Sequence, residues 1–340
     1  MRVFLVFTVT LLLLGGAAWY GHRALDLPPQ DVEIHQVVEI PPDASFKTVA
    51  NLLAQKGLIV SPFWFRFLGK VEDAERKIKP GEYDLHTKMR PPEILDALVK
   101  GRIIQYSVVI PEGFTAYQVG KVLNEASLAD DAVITRLVRT PEFAKSLGIG
   151  AASLEGYLFP DTYSFPRHTK PEEILKTMVS RFRQVYTPDL QARATTLNMT
   201  EREVITLASI IEKETGQDDE RPLISAVFHN RLRKKYPLQS DPTVVYEMPE
   251  FDGKWTHALL ARSTPYNTYI HPGLPPGPIA NPGLKSLVAA LNPAPVPYMY
   301  FVSKNDGSHQ FSATLDEHNR AVGHYQKKSS RPSVGRKEKG

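Results

Sequence analysis

The stretch TEREVITLASIIEKETG, Thr200 to Gly216, constrains this chain most, because it is a helix specified at both ends that carries carboxylates among apolar residues. Thr200 followed by Glu203 is a capping box, and Gly216 is a stop signal. Val204, Leu207, Ala208 and Ile211 make one apolar stripe at helical spacing, and Ile205 and Ile210 widen it. A helix of that pattern is buried on most sides. Its polar arc is narrow, formed by Arg202, Thr206, Ser209 and Lys213, so neither Glu212 nor Glu214 has an evident solvent face. Burial raises a carboxyl pKa above its ordinary value of about 4.3, which suits a general acid working near neutral pH. A frayed helix end or a paired structural glutamate would produce the same letters, and the periodicity does not prefer Glu212 over Glu214.

A chain of 340 residues, 42% hydrophobic and 23% charged, has room for two or three domains with proper cores. The formal charge of +4 is mild, and no basic patch is interleaved with aromatic residues, so nucleic acid is not an expected partner. The absence of cysteine excludes disulfides, thiolate nucleophiles and cysteine-ligated metals.

In chain order, Val3 to Tyr20 is an uncharged apolar run of 18 residues, long enough to span a bilayer, with Trp19 and Tyr20 suited to its interface. The expectation is an uncleaved anchor, with a cleaved signal peptide as the alternative because Gly16 and Ala18 are small. IPPDASFKTVANLL from Ile40 and IPEGFTAYQVGKVL from Ile110 then repeat one unit. Each is a strand ending in Ile-Pro, followed by a capping hydroxyl (Ser45, Thr115) and a helix whose Val49, Leu52 and Leu53 match Val119, Val122 and Leu123. Between them, Gly81 to Arg102 gives another strand, a proline-marked turn and a helix with Ile94, Leu95 and Leu98 inward. Units of this kind resemble LysM modules, which bind cell-wall glycans; a generic small α+β domain would carry the same periodicity.

LEGYLFPDTYSFP, Leu154 to Pro166, is dense in aromatic and turn residues, which serve either as core or as stacking faces for sugar rings. A helix from Pro171 to Val185 and a second from about Arg221 to Lys234 flank the central one. The sequence is then loop-rich. Leu238 to Tyr246, Thr264 to Gly283 and Gly307 to Asn319 concentrate amide, phenol, carboxyl and imidazole groups in Pro/Gly-fixed turns. A helix from Leu284 to Leu291 and strands at Tyr298 to Val302 and near Gln310 to Ala313 supply scaffold. The last fourteen residues hold six basic residues and one acid without an apolar pattern, which reads as a disordered tail.

Helix-borne glutamates beside such loops point to glycosidic chemistry. Asp241 is the candidate second carboxylate of an ordinary glycosidase. In the alternative route one carboxyl protonates the leaving oxygen and then takes a proton from a hydroxyl of the substrate sugar itself. Gln239, Asp241, Tyr266, Asn267 and Tyr269 are the candidate substrate-binding residues, expected to close on the cleft of Glu212. The histidines His229, His257, His271, His309 and His318 show no H-E-x-x-H or paired helical spacing, so no metal and no cofactor are expected. Neither G-x-S-x-G nor S-x-x-K occurs in a credible context for a serine hydrolase, and Ser209 reads as a small packing residue.

IIEKETG, LQSDPTVVY, YNTYIHPGLPPGPIANPG, YFV, HQFSATLDEHN and LEGYLFPDTYSF together resemble the endolytic murein transglycosylase family (MltG, the YceG-like proteins), in consistent order from about Ile40 to Val322. The resemblance implies cleavage of the MurNAc–GlcNAc bond in nascent peptidoglycan to leave a 1,6-anhydro-MurNAc end, terminating strand elongation. It places the catalytic glutamate of the E-K-E-T motif at Glu212. It also implies an inner-membrane anchor with a periplasmic body, glycan strands as substrate and peptidoglycan synthases as candidate protein partners. A non-catalytic wall-binding scaffold on the same fold would lack the Glu212 carboxylate, which is present here. The expected fold class is α+β: a transmembrane helix over 1–22, a LysM-like α+β region over 31–150, a mixed α+β catalytic domain over 151–326 and the tail over 327–340.

Overall fold

The computed structural model describes residues 2–248 and 250–326, with side chains from Phe7 onward, and the expected tail lies outside these residues. Two units divide the chain, one made of 1–107 with 164–169, the other of 108–163 with the remainder from Lys170.

The first unit contains α1 (Arg2–Asp26), β1 (His35–Ile40), α2 (Phe46–Gln55), α3 (Pro62–Val71), β2 (Gly81–His86) and α4 (Pro91–Lys100). Strands β1 and β2 are antiparallel with Val38 opposite Tyr83. Val38 and Ile40 on one strand and Tyr83 and Leu85 on the other point inward at period two, onto Val49, Leu53, Phe65, Ile94 and Leu98. Ser45 caps α2 by accepting the Thr48 N–H. Phe7, Val9 and Leu11 to Leu14 on α1 are exposed, as are Trp19 and Tyr20. Among the described residues no helix is long and apolar enough to cross a membrane. Gly21, His22, Arg23 and Asp26 make the last turns of α1 polar.

The second unit is organised around a buried helix. Strands β3 (Tyr106–Val109) and β4 (Thr162–Phe165) form one two-stranded sheet, and the chain passes from unit to unit along them. Helices α5 (Ala116–Glu125), α6 (Asp131–Val138), α7 (Pro141–Ser146), α8 (Pro171–Val185) and α9 (Pro188–Thr196) lead to α10 (Glu201–Glu214). Then come α11 (Arg221–Arg233), the short α12 (Asp241–Val245) and α13 (His257–Leu260), α14 (Leu284–Leu291), the antiparallel hairpin β5 (Tyr300–Ser303) and β6 (His309–Ser312), and α15 (Leu315–Tyr325). Thr115 and Gln118 form a capping box on α5, and Val119 and Leu123 are buried as Val49 and Leu53 are in the first unit.

Helix α10 is capped by Thr200 and Glu203 as its sequence specifies, and every residue from Val204 to Ile211 is buried. The expected polar arc is therefore not a solvent face at Thr206 and Ser209. Their hydroxyls donate back to the carbonyls of Arg202 and Thr206 at 2.7 Å, which satisfies them without water. Ser209 Oγ also accepts the Ile279 N–H at 3.0 Å. The helix ends at Glu214 because Thr215 is extended, before Gly216 is reached. The reading of 307–319 as loop and strand also needs correction, since Thr314 and Glu317 form a capping box that starts α15.

The segment after Leu154 lies against α10. At Gly156, φ is +88°, and a β-carbon would come within 2.6 Å of Pro278 and 2.7 Å of Ile205 Cγ2. Its neighbour Glu155 is 6% exposed and accepts the N–H of Ala116, the first residue of α5, at 2.9 Å, and the Tyr246 hydroxyl at 3.1 Å. Burial pushes the Glu155 carboxyl up to about 7, against the opposing pull of these donors.

Two stability outcomes follow. Gly156→Ala is expected to cost about 2 kcal/mol or more, from a disfavoured φ and an overpacked contact, read as a lowered thermal midpoint. Glu155 binds its proton more tightly folded than unfolded, so its contribution is fully present in acid and lost as pH rises through about 7. Glu155→Gln should flatten the fall in unfolding free energy by roughly 3 kcal/mol between about pH 4 and pH 8, in denaturant titrations at several pH values.

Candidate active site

The last turn of α10 places Glu212 and Glu214 about 200° apart around the helix axis, so the two carboxyls face different surroundings. Glu212 meets the starts of two helices. Its Oε2 accepts the N–H of Gly283, the N-cap of α14, at 3.0 Å, and its Oε1 lies 3.4 Å from Nη2 of Arg221, the first residue of α11. The side chains of Glu212 and Arg221 are each 6% exposed. Arg221 is held in turn by Ser286 Oγ, which accepts from its Nε at 3.1 Å, and by Asp218, which also pairs with Lys285. Just ahead of Arg221, Glu220 accepts the backbone N–H of His309 at 2.7 Å and pairs with its ring at 2.6 Å, tying β6 to the start of α11.

The backbone on the other side of Glu212 is set by Asn281, whose exposure is 0%. Its Nδ2 donates to the Phe114 carbonyl at 2.8 Å, and its Oδ1 accepts the Leu158 N–H at 2.9 Å. Its own N–H donates to Phe114 O at 2.8 Å, and its carbonyl accepts from Gly113 N at 2.9 Å. The turn at 112–114 is thereby fastened to the turn at 281–283. This brings the Glu112 carboxylate to the space that a β-carbon on Gly283 would need. Desolvation pushes the Glu112 carboxyl up and Glu212 pushes it further, while Arg221 and Lys285 pull it down. Sequence reasoning missed Glu112, Arg221 and Gly283. The available signals were a carboxylate in the Pro-Glu-Gly turn before the Thr115 cap and the Asn-Pro-Gly turn before α14.

Glu214 faces the expected sugar-binding loops. Ser240 Oγ donates to its Oε1, and the Asp241 hydroxyl partner is Tyr269, whose OH donates to Asp241 Oδ1. Burial, with Asp241 nearby, pushes the Glu214 carboxyl up to about 7 against the Ser240 bond. Gln239 adopts φ +49°, donates its N–H to Thr268 O at 3.1 Å and sets its Oε1 3.5 Å from Nη1 of Arg231. Gln239, Asp241 and Tyr269 are thus brought together, on the side of Glu214. Asn267 is fully buried, its amide donating to the carbonyls of Leu260 and Arg262 at 2.9 and 2.8 Å. Tyr266 packs its ring 4.6 Å from that of Tyr246. Among the described residues no group of three or more His, Asp or Glu converges as a metal site. His229 bonds the Ala290 carbonyl at 2.8 Å.

With a carboxylate, a buried guanidinium and a directed main-chain N–H at one point, the site can accept and return a proton. The model of the YceG-like family matches residues 38–324 of this chain. An endolytic murein transglycosylase of Bacillus subtilis (strain 168) is 33% identical, covering 92% of this chain and 91% of that protein. One from Streptococcus pneumoniae serotype 2 is 28% identical over 93% of this chain, which spans 64% of that longer protein. A crystal structure of a YceG-like protein from Listeria monocytogenes superposes with a TM-score of 0.59 at 33% identity, covering 84% of this chain and 98% of that one. The matched span takes in Glu112, Glu212 and Asn281 together, and the chain belongs to the YceG-like family.

Proposed function

We propose that this chain is a lytic transglycosylase that cleaves the MurNAc–GlcNAc bond within peptidoglycan strands, with Glu212 as the catalytic carboxylate. The observation that carries the reading is the enclosure of Glu212 between the Arg221 guanidinium and the Gly283 N–H, directly after the buried stretch Val204 to Ile211 of its helix. Both Glu212 oxygens face donors, an arrangement made to hold the carboxylate in place as it takes a proton from the MurNAc C6 hydroxyl. That hydroxyl then closes on C1 and yields the 1,6-anhydro ring. Relatives named endolytic murein transglycosylases support the substrate.

Gln239, Asp241 and Tyr269 are the sugar-facing candidates among the loop residues, since they retain exposure beside the end of α10. Tyr266, half-buried like Gln239 and Tyr269, stands with them, while the fully buried Asn267 shapes their loop. The order β1-α2-α3-β2 with antiparallel strands supports reading the first unit as a LysM-like glycan-binding module. The exposed apolar side chains from Phe7 to Tyr20, continuing the apolar letters from Val3, support an anchor in the inner membrane with the body in the periplasm. Terminating strand elongation in this position makes peptidoglycan synthases the candidate protein partners.

Mass spectrometry of products from purified peptidoglycan tests the reaction, because a 1,6-anhydro end separates transglycosylation from hydrolysis. Glu212→Gln should lower anhydro-product formation by about 10⁴, since glutamine keeps the volume but neither gives nor takes the proton. Glu214→Gln should cost modest activity or stability, its carboxyl being matched to Ser240. If Glu214→Gln were inactive and Glu212→Gln near normal, the catalytic role would move to Glu214; if both were active, α10 would lose it.

The anchor is checked by fractionation. The protein should stay with membranes through high salt and start at Met1, because apolar burial rather than charge holds it. A mature terminus at Trp19 would show a cleaved signal instead.

A further inference from the structure

We propose that Glu112 is the second carboxyl of the active site, giving its proton to the departing GlcNAc O4 while Glu212 takes the proton of the MurNAc C6 hydroxyl. The inference rests on the reading of Glu212 given above and deepens it by separating the acid from the base.

The two carboxyls flank one residue of backbone. Gly283 offers its N–H to Glu212 at 3.0 Å, and the Glu112 carboxylate fills the space on the same residue where a side chain would begin. Any side chain at 283 would displace Glu112. The Asn281 clasp fixes the turn carrying Glu112 to the turn carrying Gly283, and Gly113 at φ +75° lets the chain turn directly after Glu112. Such a built juxtaposition of like charges is costly unless one group keeps its proton.

The surroundings assign which group does so. Glu212 is enclosed and its oxygens already face the Arg221 and Gly283 donors, so it is arranged as an acceptor. Glu112 is exposed at the surface of the unit, where a sugar can reach it. The charged groups that face it are Glu212, Arg221, Lys285 and Asp218. Desolvation and the Glu212 charge together favour its protonated form over the counteracting cations.

The step balances without water. The bond from MurNAc C1 to the glycosidic oxygen breaks and the proton of Glu112 passes to that oxygen, which leaves as the GlcNAc 4-hydroxyl. The C6 oxygen bonds to C1 and its proton passes to Glu212. Return of that proton from Glu212 to Glu112 resets the pair once the product has left.

A leaving group that needs no proton isolates the acid role. Full-length wild type, Glu112→Gln, Glu112→Asp and Glu212→Gln would be assayed on peptidoglycan strands and on a MurNAc-terminated oligosaccharide with a 4-nitrophenyl aglycone, with thermal midpoints measured in parallel. Glu112→Gln should lose about 10² or more on strands while staying within about tenfold of wild type on the aryl glycoside, and Glu212→Gln should fail on both. Glu112→Asp should recover part of the strand cleavage. Equal losses of Glu112→Gln on both substrates, full activity of that variant on strands, or a loss that Glu112→Asp does not lessen would overturn the proposal. Wild type yielding no anhydro ends would instead overturn the transglycosylase reading itself.

Discussion

The amide of Asn281 is the interaction on which the second unit turns. Both ends of this buried side chain and both of its backbone groups are spent on the segments at 113–114 and 158, which lie far away in the chain. Its amide nitrogen also lies 3.4 Å from the Glu155 carboxyl, which caps α5. One residue thus joins three loops, and each bond closes a long stretch of chain whose entropy cost the surrounding core must offset. Removing the side chain would leave the Leu158 N–H buried without its acceptor, a penalty larger than the net worth of the bond it broke.

Helix α10 supplies the fixed frame for that clasp. Its stretch from Val204 to Ile211 can be buried because the internal hydroxyls satisfy themselves, while the capping box satisfies the more exposed first turn. After the buried stretch, the carboxyls of Glu212 and Glu214 emerge in two different settings. One faces cationic and main-chain donors from α11 and α14; the other sits under the 238–241 turn, where burial and a single hydroxyl donor leave it with a raised pKa of about 7.

Local chemistry was legible from the letters. The caps at Ser45, Thr115 and Thr200 stand where a hydroxyl precedes an apolar period, and α8 runs from Pro171 to Val185 with Ile174, Leu175, Met178 and Phe182 buried, as its spacing predicts. Long-range closure was not. Nothing in the period of α10 says that the turn with Ser240 comes to Glu214 or that the distant Glu112 comes to Gly283, because the first meeting is set by Thr268 and Arg231 bonding the 238–240 segment and the second by Asn281 bonding the 113–114 segment. Thr206 shows the same limit from the other direction, since a hydroxyl that reads as solvent-facing is satisfied inside the helix.

The donor that Gly283 offers to Glu212 belongs to the main chain, and this changes what genetics can see. A saturation scan would register Glu212 and Arg221 through their side chains, but the N–H at 283 survives every replacement except proline. Intolerance at 283 would instead report crowding by Glu112. Half of the hold on this carboxylate is therefore encoded in the path of the backbone, where the sensitivity of each position measures neighbouring space rather than the bond itself.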